Sequence, residues 1–344
     1  MNHNRRLRWA VLGTGKFVTS VAIPAMKECL AAEVVGIASR SAVKAQAAAE
    51  QLALPKHYAG YEASLDDPAV DVIYNALPND LHVEWSIRAA QAGKHVLCEK
   101  PIALTLDDCL KLIEVRDRSK VAIGEAFMIR HHSQWKRVLE LVGNDLGTVR
   151  SVVSTFSYNN QDPANIRNQS EHGGGALWDI GCYLVLVSRM AFGSEPGSVY
   201  AAMDRDPNFG VDRLTSAVLT FSGGHAIFSC GTQMAPFQNV RVVGAAGRVE
   251  MLIPFNAPAH DRCAILIQRG KFPGGAVEME EFQTNQYAAQ ADEFSAAIQA
   301  NTPPATTLED ATCNVRVIEA LFQSAREGKS IELPASIGRA GELK

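Results

Sequence analysis

The chain of 344 residues lacks the features that mark nucleic-acid-binding and membrane proteins. It has no excess of basic charge, because 33 Lys and Arg stand against 37 Asp and Glu. No apolar run reaches the roughly 18 residues of a membrane span. The basic residues 5–8 lead into a strand without the apolar region of a signal peptide. We therefore expect neither nucleic acid nor a membrane among its partners.

Cysteine is sparse and irregularly spaced. The seven cysteines are odd in number and never form C-x-x-C, which argues against a disulfide framework and against a zinc site. The pairs His131-His132 and Glu171-His172 lack the H-E-x-x-H spacing that places two ligands on one helix face. We expect no metal and a reducing, cytoplasmic location.

What the sequence does contain is an ordinary globular composition, with 47% hydrophobic and 20% charged residues, at a length sufficient for two domains. Residues 1–125 alternate short apolar runs with helical stretches, which predicts βαβ units and a doubly wound parallel sheet of the Rossmann type. The predicted strands lie at 7–12, 33–38, 70–76, 95–98 and 121–125, with helices at 41–54, 82–93 and from about 105.

The pattern changes in residues 126–344. Strands are predicted at 148–158, 213–221, 225–231, 240–243, 248–253, 263–267 and 276–282. Ser222-Gly223-Gly224 between two of them is a hairpin signal. Helices at about 286–300 and 308–327 complete the chain, and Gly328 is positioned to end the last one. We predict an α+β domain with an open, mostly antiparallel sheet.

A glycine turn, Gly13-Thr14-Gly15-Lys16-Phe17-Val18, follows the first strand. The first Gly permits a tight turn and the second lets the backbone approach a pyrophosphate, which the following helix N-terminus binds. The G-x-G-x-x-G fingerprint is incomplete because Val18 replaces the third Gly, so a glycine turn without a ligand is the alternative.

The end of the second strand carries Ser39-Arg40-Ser41 and no carboxylate before Glu50. An acidic residue there would bind the ribose 2′-hydroxyl of NAD, whereas Arg accommodates the 2′-phosphate of NADP. NADP is favoured over NAD, with Lys44 able to assist. Alternatively, Arg40 is only the solvated end of a strand.

The segment His95-Val-Leu-Cys-Glu-Lys-Pro101 is an apolar strand that ends abruptly in Glu99, Lys100 and Pro101. Ligands of open α/β sheets bind beyond the carboxyl ends of the strands, so Lys100 lies where a ligand is expected. A surface lysine in a strand-to-helix loop fits this segment equally well.

The segment Glu171-His-Gly-Gly-Gly-Ala-Leu-Trp-Asp-Ile-Gly-Cys-Tyr183 predicts a glycine-rich entry into an apolar helix. Asp179 and Tyr183 are four residues apart and so share a flank of that helix. A hydride transfer from an alcohol needs a base, and Tyr can serve if a nearby cation such as Lys100 lowers its pKa. A half-buried Tyr with a structural Asp is the alternative.

The glycine turn, Ala76-Leu-Pro-Asn-Asp-Leu-His82, Cys98-Glu-Lys-Pro101 and Gly173–Tyr183 occur in the order found in one family. The chain closely resembles the Gfo/Idh/MocA oxidoreductases. The Tyr at position 183 and Glu125-Ala-Phe-Met-Ile-Arg130 resemble the branch of glucose–fructose oxidoreductase, NADP-dependent D-xylose dehydrogenase and dimeric dihydrodiol dehydrogenase.

The resemblance implies a role for each matching residue. Lys100, Asp179 and Tyr183 correspond to the catalytic set, and Arg130 and His172 are weaker candidates for sugar contacts. His172 could equally be structural. The implied cofactor contacts are Gly13, Thr14, Gly15, Lys16, Phe17, Ser39, Arg40, Ser41, Lys44, Leu77, Pro78, Asn79, His82, Glu99 and Lys100. The Lys100–Pro101 peptide is expected to be cis, as in many members.

The implied function is an NADP-dependent sugar dehydrogenase in which Tyr183 removes a hydroxyl proton, Lys100 stabilises the phenolate and Asp179 orients the substrate or Lys100. The alternatives are a trans-dihydrodiol dehydrogenase, a keto-sugar reductase, or a non-catalytic NADP(H)-sensing regulator, which would be expected to lack the catalytic set. The resemblance also implies a homodimer or homotetramer.

Overall fold

The computed structural model describes residues 5–270 and 276–334. Its strands are, in chain order, β1 (Leu7–Leu12), β2 (Ala32–Ser39), β3 (Lys56–Ala59), β4 (Val72–Asn75), β5 (His95–Cys98), β6 (Ile123–Glu125), β7 (Val149–Asn159), β8 (Ser198–Arg205), β9 (Asp212–Phe221), β10 (Gly224–Gly231), β11 (Gln233–Gly244), β12 (Gly247–Met251), β13 (Cys263–Arg269), β14 (Val277–Phe282) and β15 (Ile331–Glu332). Its α-helices are α1 (Ile23–Met26), α2 (Ala42–Gln51), α3 (Glu62–Leu65), α4 (His82–Gln91), α5 (Leu106–Ser119), α6 (Ser133–Asn144), α7 (Cys182–Phe192), α8 (Gln286–Ala300) and α9 (Leu308–Glu327).

The chain divides into two units, and the division is not a single cut along the sequence. Unit 1 comprises Met1–His131 and Asn285–Thr312, and unit 2 comprises His132–Thr284 and Cys313–Lys344. The sequence predicts a boundary after residue 125 and one continuous second domain, so α8 lies in the other unit from the one expected. The reason is packing: Phe294 of α8 meets the buried Trp9 of β1 edge to face at 5.8 Å.

Unit 1 is built on a six-stranded sheet in the order β3-β2-β1-β4-β5-β6. All of its neighbouring strands are parallel, which confirms the predicted doubly wound sheet. Five of the six strands fall where the sequence predicts them. The edge strand β3 was not predicted because its four residues, Lys-His-Tyr-Ala, form no apolar run.

Unit 2 is built on a nine-stranded sheet in the order β14-β13-β12-β11-β7-β10-β9-β8-β15. Only β7 and β10 pair in parallel, so the prediction of an open, mostly antiparallel sheet is confirmed. The predicted hairpin joins β9 to β10, with Gly223 at φ 99°. Helix α6 and strand β8 were not predicted, although α6 has the buried, helically spaced side chains Trp135 and Val138.

The helical segment Ser170–Phe192 is long and apolar enough to cross a membrane, with a mean hydropathy of 1.3. However, 89% of its apolar window is buried inside the protein, as in the core helix of a folded domain. It packs against β7 and β10 and forms the centre of unit 2.

Candidate active site

The glycine turn after β1 has the geometry that each of its glycines permits. Gly13 has φ 102°, and a Cβ there would lie 3.0 Å from the carbonyl oxygen of Ala76. Only glycine allows this conformation and this close approach together. At Gly15 an added Cβ would meet nothing within 4 Å, so the backbone faces open space. The turn therefore offers an approachable backbone at the carboxyl end of the central strand.

The residues after the turn enter the interior through a wider helical turn. Val18, which replaces the third glycine, is buried and begins a five-residue turn of π type. Phe17 is half-buried and packs on the ring of Tyr287 at 5.6 Å. Thr14 is partly exposed and Lys16 fully so, which leaves both accessible at this edge.

The end of β2 is rich in hydroxyl groups and carries one exposed cation. The Ser39 hydroxyl accepts a hydrogen bond from the Ser41 amide at 3.3 Å. Ser41 caps α2, and its hydroxyl accepts from the Lys44 amide at 3.4 Å. Arg40 is exposed and lies beside Tyr61, whose pKa is raised by burial and lowered by this guanidinium. This donor set suits a phosphate rather than a ribose hydroxyl.

The loop after β4 is fixed from within by a histidine. His82 is buried, with its Nδ1 2.8 Å from the Pro101 carbonyl oxygen and its Nε2 2.7 Å from that of Leu77. Burial lowers the pKa of the ring below its usual value, and the opposing effect of the two carbonyls is smaller. His82 thus clips the loop after β4 to the loop after β5, while Pro78 and Asn79 remain partly exposed.

The loop after β5 holds Lys100 in a defined backbone. The Lys100–Pro101 peptide is cis, as the resemblance implies. Glu99 accepts a hydrogen bond from the Tyr74 hydroxyl, and its second oxygen lies 3.4 Å from the Lys100 amide. Lys100 is half-buried at the carboxyl edge of the sheet, in line with the ends of β2, β1 and β4. It is therefore not a freely solvated loop residue.

Two residues predicted to contact the substrate have contacts of other kinds. Arg130 forms an ion pair with Asp310, and its Nε is buried without a hydrogen-bond partner among the described residues. His172 lies half-buried in the short 3-10 turn Ser170–His172, where its amide bonds to the Gln169 carbonyl at 3.2 Å.

Glycine at position 175 is required by a buried carboxylate. Gly175 has φ 110°, and a Cβ there would lie 2.1 Å from Asp212 Oδ1. Asp212 accepts from the Leu177 amide at 2.8 Å and thereby holds the first residue of the turn Leu177–Gly181. Burial raises the pKa of Asp212 to about 6.

Asp179 stands at the centre of a side-chain network that the sequence did not reveal. It lies in a π-type turn, Leu177–Gly181, ahead of α7, and is buried. Its Oδ2 accepts from the Tyr158 hydroxyl at 2.6 Å and from Arg167 Nε at 3.0 Å. Tyr158 is the penultimate residue of β7 and Arg167 lies in the following loop, so no local periodicity connects them to Asp179.

Tyr183 and Tyr158 have different surroundings. The Tyr183 ring is buried against two aromatic rings, Phe156 at 5.9 Å and Phe255 at 5.6 Å. The pKa of Tyr158 is raised far above its usual range, first by burial and then by the negative charge of Asp179. Tyr158 is therefore held as a neutral donor.

The site residues divide between the units. The glycine turn, the Ser39–Ser41 segment, the Pro78–Asn79 loop and Lys100 belong to unit 1, whereas Asp179, Tyr183, Tyr158 and Arg167 belong to unit 2. All seven cysteines are free thiols. Over residues 5–270 and 276–334, no cluster of three His, Cys, Asp or Glu side chains could hold a metal ion.

Comparison with known proteins matches both halves of the chain. A family model described as an oxidoreductase family with an NAD-binding Rossmann fold matches residues 7–127, and a GFO/IDH/MocA C-terminal domain model matches residues 122–250. An uncharacterized oxidoreductase of Rhizobium meliloti, ORF334, is 41% identical over 326 residues, covering 94% of this chain and 98% of the relative.

Two further relatives have named activities. A D-xylose 1-dehydrogenase (NADP(+)) of Haloferax volcanii is 34% identical over 95% of this chain and 100% of the relative. The crystal structure of an aldose-aldose oxidoreductase from Caulobacter crescentus, complexed with glycerol, has a TM-score of 0.88 at 32% identity, covering 96% of this chain and 100% of that one. Because the two family models together match residues 7–250 and these relatives align over nearly the whole chain, this chain belongs to the Gfo/Idh/MocA family of NAD-binding oxidoreductases.

Proposed function

We propose that this protein is an NADP-dependent oxidoreductase that transfers hydride between a hydroxyl-bearing carbon of a sugar and nicotinamide, most specifically an aldose dehydrogenase. The observation that carries the proposal is the position of Lys100, half-buried at the carboxyl edge of the unit 1 sheet, where the glycine turn and Arg40 also lie. The xylose dehydrogenase and aldose oxidoreductase relatives support the substrate class.

The residues at this edge fit NADP. The open space at Gly15 admits a pyrophosphate, and the Arg40 guanidinium with the Ser39 and Ser41 hydroxyls suits a 2′-phosphate. Pro78 and Asn79 would lie along the nicotinamide half, with His82 holding their loop in place. Bound NADP+ supplies the hydride acceptor.

The chain's own residues handle the proton. Tyr183 takes the proton of the reacting hydroxyl as general base, which contributes about 10²–10⁴-fold to the rate. Lys100 stabilises the phenolate, and Asp179 orients the substrate or Lys100. Tyr158 is unsuited to the role of base because burial, followed by Asp179, raises its pKa far above its usual range.

Reduction of a keto-sugar and oxidation of a trans-dihydrodiol are the competing activities, and both use the same residues. A non-catalytic NADP(H) sensor is a third reading, which the presence of Lys100, Asp179 and Tyr183 disfavours because a sensor needs no general base.

A screen of the purified chain tests the proposal. NADP+ reduction is followed with D-xylose, other aldoses and trans-diols, and NADPH oxidation with keto-sugars. We expect turnover with at least one aldose and its loss in Lys100→Met, with NADPH still bound. Binding of NADPH without turnover of any substrate class would instead identify a sensor.

We also propose that the chain forms a homo-oligomer through the open face of the unit 2 sheet. Four exposed apolar side chains, Val153, Ile227, Val218 and Tyr200, pair directly across β7, β10, β9 and β8. Such a contiguous apolar row on a sheet face is typical of a protein interface.

Oligomer mass by light scattering tests this surface. Ile227→Glu is expected to give monomers, whereas Val43→Glu, on an exposed apolar position of α2 in unit 1, should leave the mass unchanged. An unchanged mass in Ile227→Glu would contradict the assignment.

The free thiols support a reducing compartment, which we propose to be the cytoplasm.

A further inference from the structure

An ion pair in unit 2 holds a positive charge beside the helical segment that carries Tyr183. Arg167 Nε donates to Asp179 Oδ2 at 3.0 Å, and the Tyr158 hydroxyl donates to the same oxygen at 2.6 Å. The Asp179 side chain is 10% exposed. The ion pair holds the guanidinium at this buried carboxylate, while 42% of the Arg167 side chain is exposed.

Arg167 is brought near Tyr183 by its partner, because Asp179 precedes Tyr183 by four residues, about one helical turn, on the same segment. The pKa of Arg167 is raised chiefly by the carboxylate of Asp179, and a negative charge on Tyr183 would raise it further. Such an interaction is reciprocal: if the Tyr183 phenolate stabilises the cation, then the cation stabilises the phenolate.

Other titratable groups on or facing this segment within unit 2 are Asp179, Tyr158 on β7, Asp212 on β9, and the buried thiols of Cys182 and Cys230. Two further cations have other partners: Arg189 on α7 is paired with Glu195, and Arg205 on β8 acts on Asp212. Unpaired, Asp179 would oppose ionisation of a neighbouring phenol because like charges repel. Its pairing with Arg167 removes that opposition.

We propose that Arg167 is a positioning residue which, held by Asp179 and Tyr158, places a positive charge beside Tyr183 and promotes ionisation of its hydroxyl group. The inference rests on the proposed role of Tyr183 as base and adds to Lys100 a second cation, one from the same unit as the tyrosine. Tyr158 acts in it only as a hydrogen-bond donor to Asp179.

A spectroscopic titration of the full chain tests the inference without any substrate. The ultraviolet absorbance of tyrosinate is recorded against pH, and subtraction of the Tyr183→Phe curve isolates one of the seven tyrosines. In an Arg167→Gln background we expect the ionisation of Tyr183 to move to higher pH by about one unit or more, since a nearby opposite charge has an effect of that size.

Matched variants keep the test decisive. Arg262→Gln removes an exposed partner of Glu281 in the same unit and should leave the ionisation of Tyr183 in place. Arg167→Met, which keeps the apolar stem, replaces Arg167→Gln if the latter does not fold, with the same expected shift. An ionisation that stays at its original pH in a folded Arg167 variant overturns the inference.

The rate profile gives a second readout. With NADP+ and D-xylose, or the substrate identified by the screen, kcat/KM of Arg167→Gln should approach that of the parent as the pH rises. A loss by the same factor at every pH would mark a purely structural role and contradict the inference. Absence of turnover in the parent enzyme would refute the proposed function, whereas the absorbance titration would still decide the role of Arg167.

Discussion

The carboxyl edge of the unit 1 sheet, where we propose that NADP binds, and the helical segment Ser170–Phe192 of unit 2 are built in different ways. We call the first of these the cofactor edge. At this edge, the functional groups follow the ends of neighbouring strands. The backbone conformation at Gly13 and the open space at Gly15 shape it more than side-chain contacts do. In unit 2, one side chain from β7 and one from a loop converge on Asp179, which lies in a helical turn. The first arrangement follows from topology, whereas the second depends on long-range contacts, so substitutions should affect binding in one and chemistry or stability in the other.

The largest expected effect comes from Tyr183, for which Tyr158 in the same unit is the comparison. Tyr183→Phe should lower kcat by about 10²–10⁴-fold because it removes the general base. Tyr158→Phe removes only one donor to Asp179 and should cost no more than about tenfold, the effect of one hydrogen bond. Steady-state kinetics with the identified substrate measures both, and circular dichroism confirms folding. Equal losses of kcat in the two variants would show that Tyr183 is not the general base.

Two glycines separate binding from stability. Gly175→Ala should lower the free energy of unfolding by about 3 kcal/mol or more, because its Cβ would lie 2.1 Å from Asp212 Oδ1 at φ 110°. Gly15→Ala meets nothing within 4 Å and should leave stability within about 0.5 kcal/mol while weakening NADPH binding. Thermal unfolding and fluorescence titration with NADPH measure the two effects. If Gly15→Ala were the less stable variant, the contrast between the units would fail.

Arg40 tests how the edge selects its cofactor. Arg40→Gln should raise the KM for NADP+ by about 10–100-fold, the value of a charge-assisted hydrogen bond, and leave that for NAD+ nearly unchanged. Arg118→Gln, on the exposed face of α5, is the control. Parallel changes with both cofactors would show that Arg40 does not read the 2′-phosphate.

The smallest effect concerns Asp212 and pH. Its pKa of about 6 lies above the ordinary value of 3.8, so the folded state favours the protonated carboxyl. The resulting stability is present below about pH 4 and is lost as the pH rises through about 6. Between pH 4 and 7 the parent should therefore lose about 2 kcal/mol relative to Asp212→Asn, which does not titrate.

Thermal unfolding of the parent and Asp212→Asn across this range measures the difference. The asparagine side-chain oxygen can still accept from the Leu177 amide, so the variant keeps the hydrogen bond to the first residue of the turn Leu177–Gly181. A difference that stays constant with pH would show that Asp212 is ionised at every pH tested.

Local sequence signals predict the two sheets and the edge of the unit 1 sheet at which the cofactor is expected to bind. Apolar runs, the glycine turn and Ser39–Ser41 are local signals, and a parallel sheet brings successive strand ends to one edge wherever its helices pack. Short motifs likewise predict functional roles for Lys100 and Asp179.

How the functional side chains are held depends on tertiary contacts that no local pattern predicts. The place of α8 against Trp9, the clip of His82 between two loops and the approach of Tyr158 and Arg167 to Asp179 join residues far apart in sequence. Burial and the charge of Asp179 keep Tyr158 in its neutral form, whereas the Tyr183 ring packs against Phe156 and Phe255. Sequence periodicity reports how neighbouring residues are buried. The ionisation of a buried group depends instead on the distant segments that pack against it, so sequence alone does not predict it.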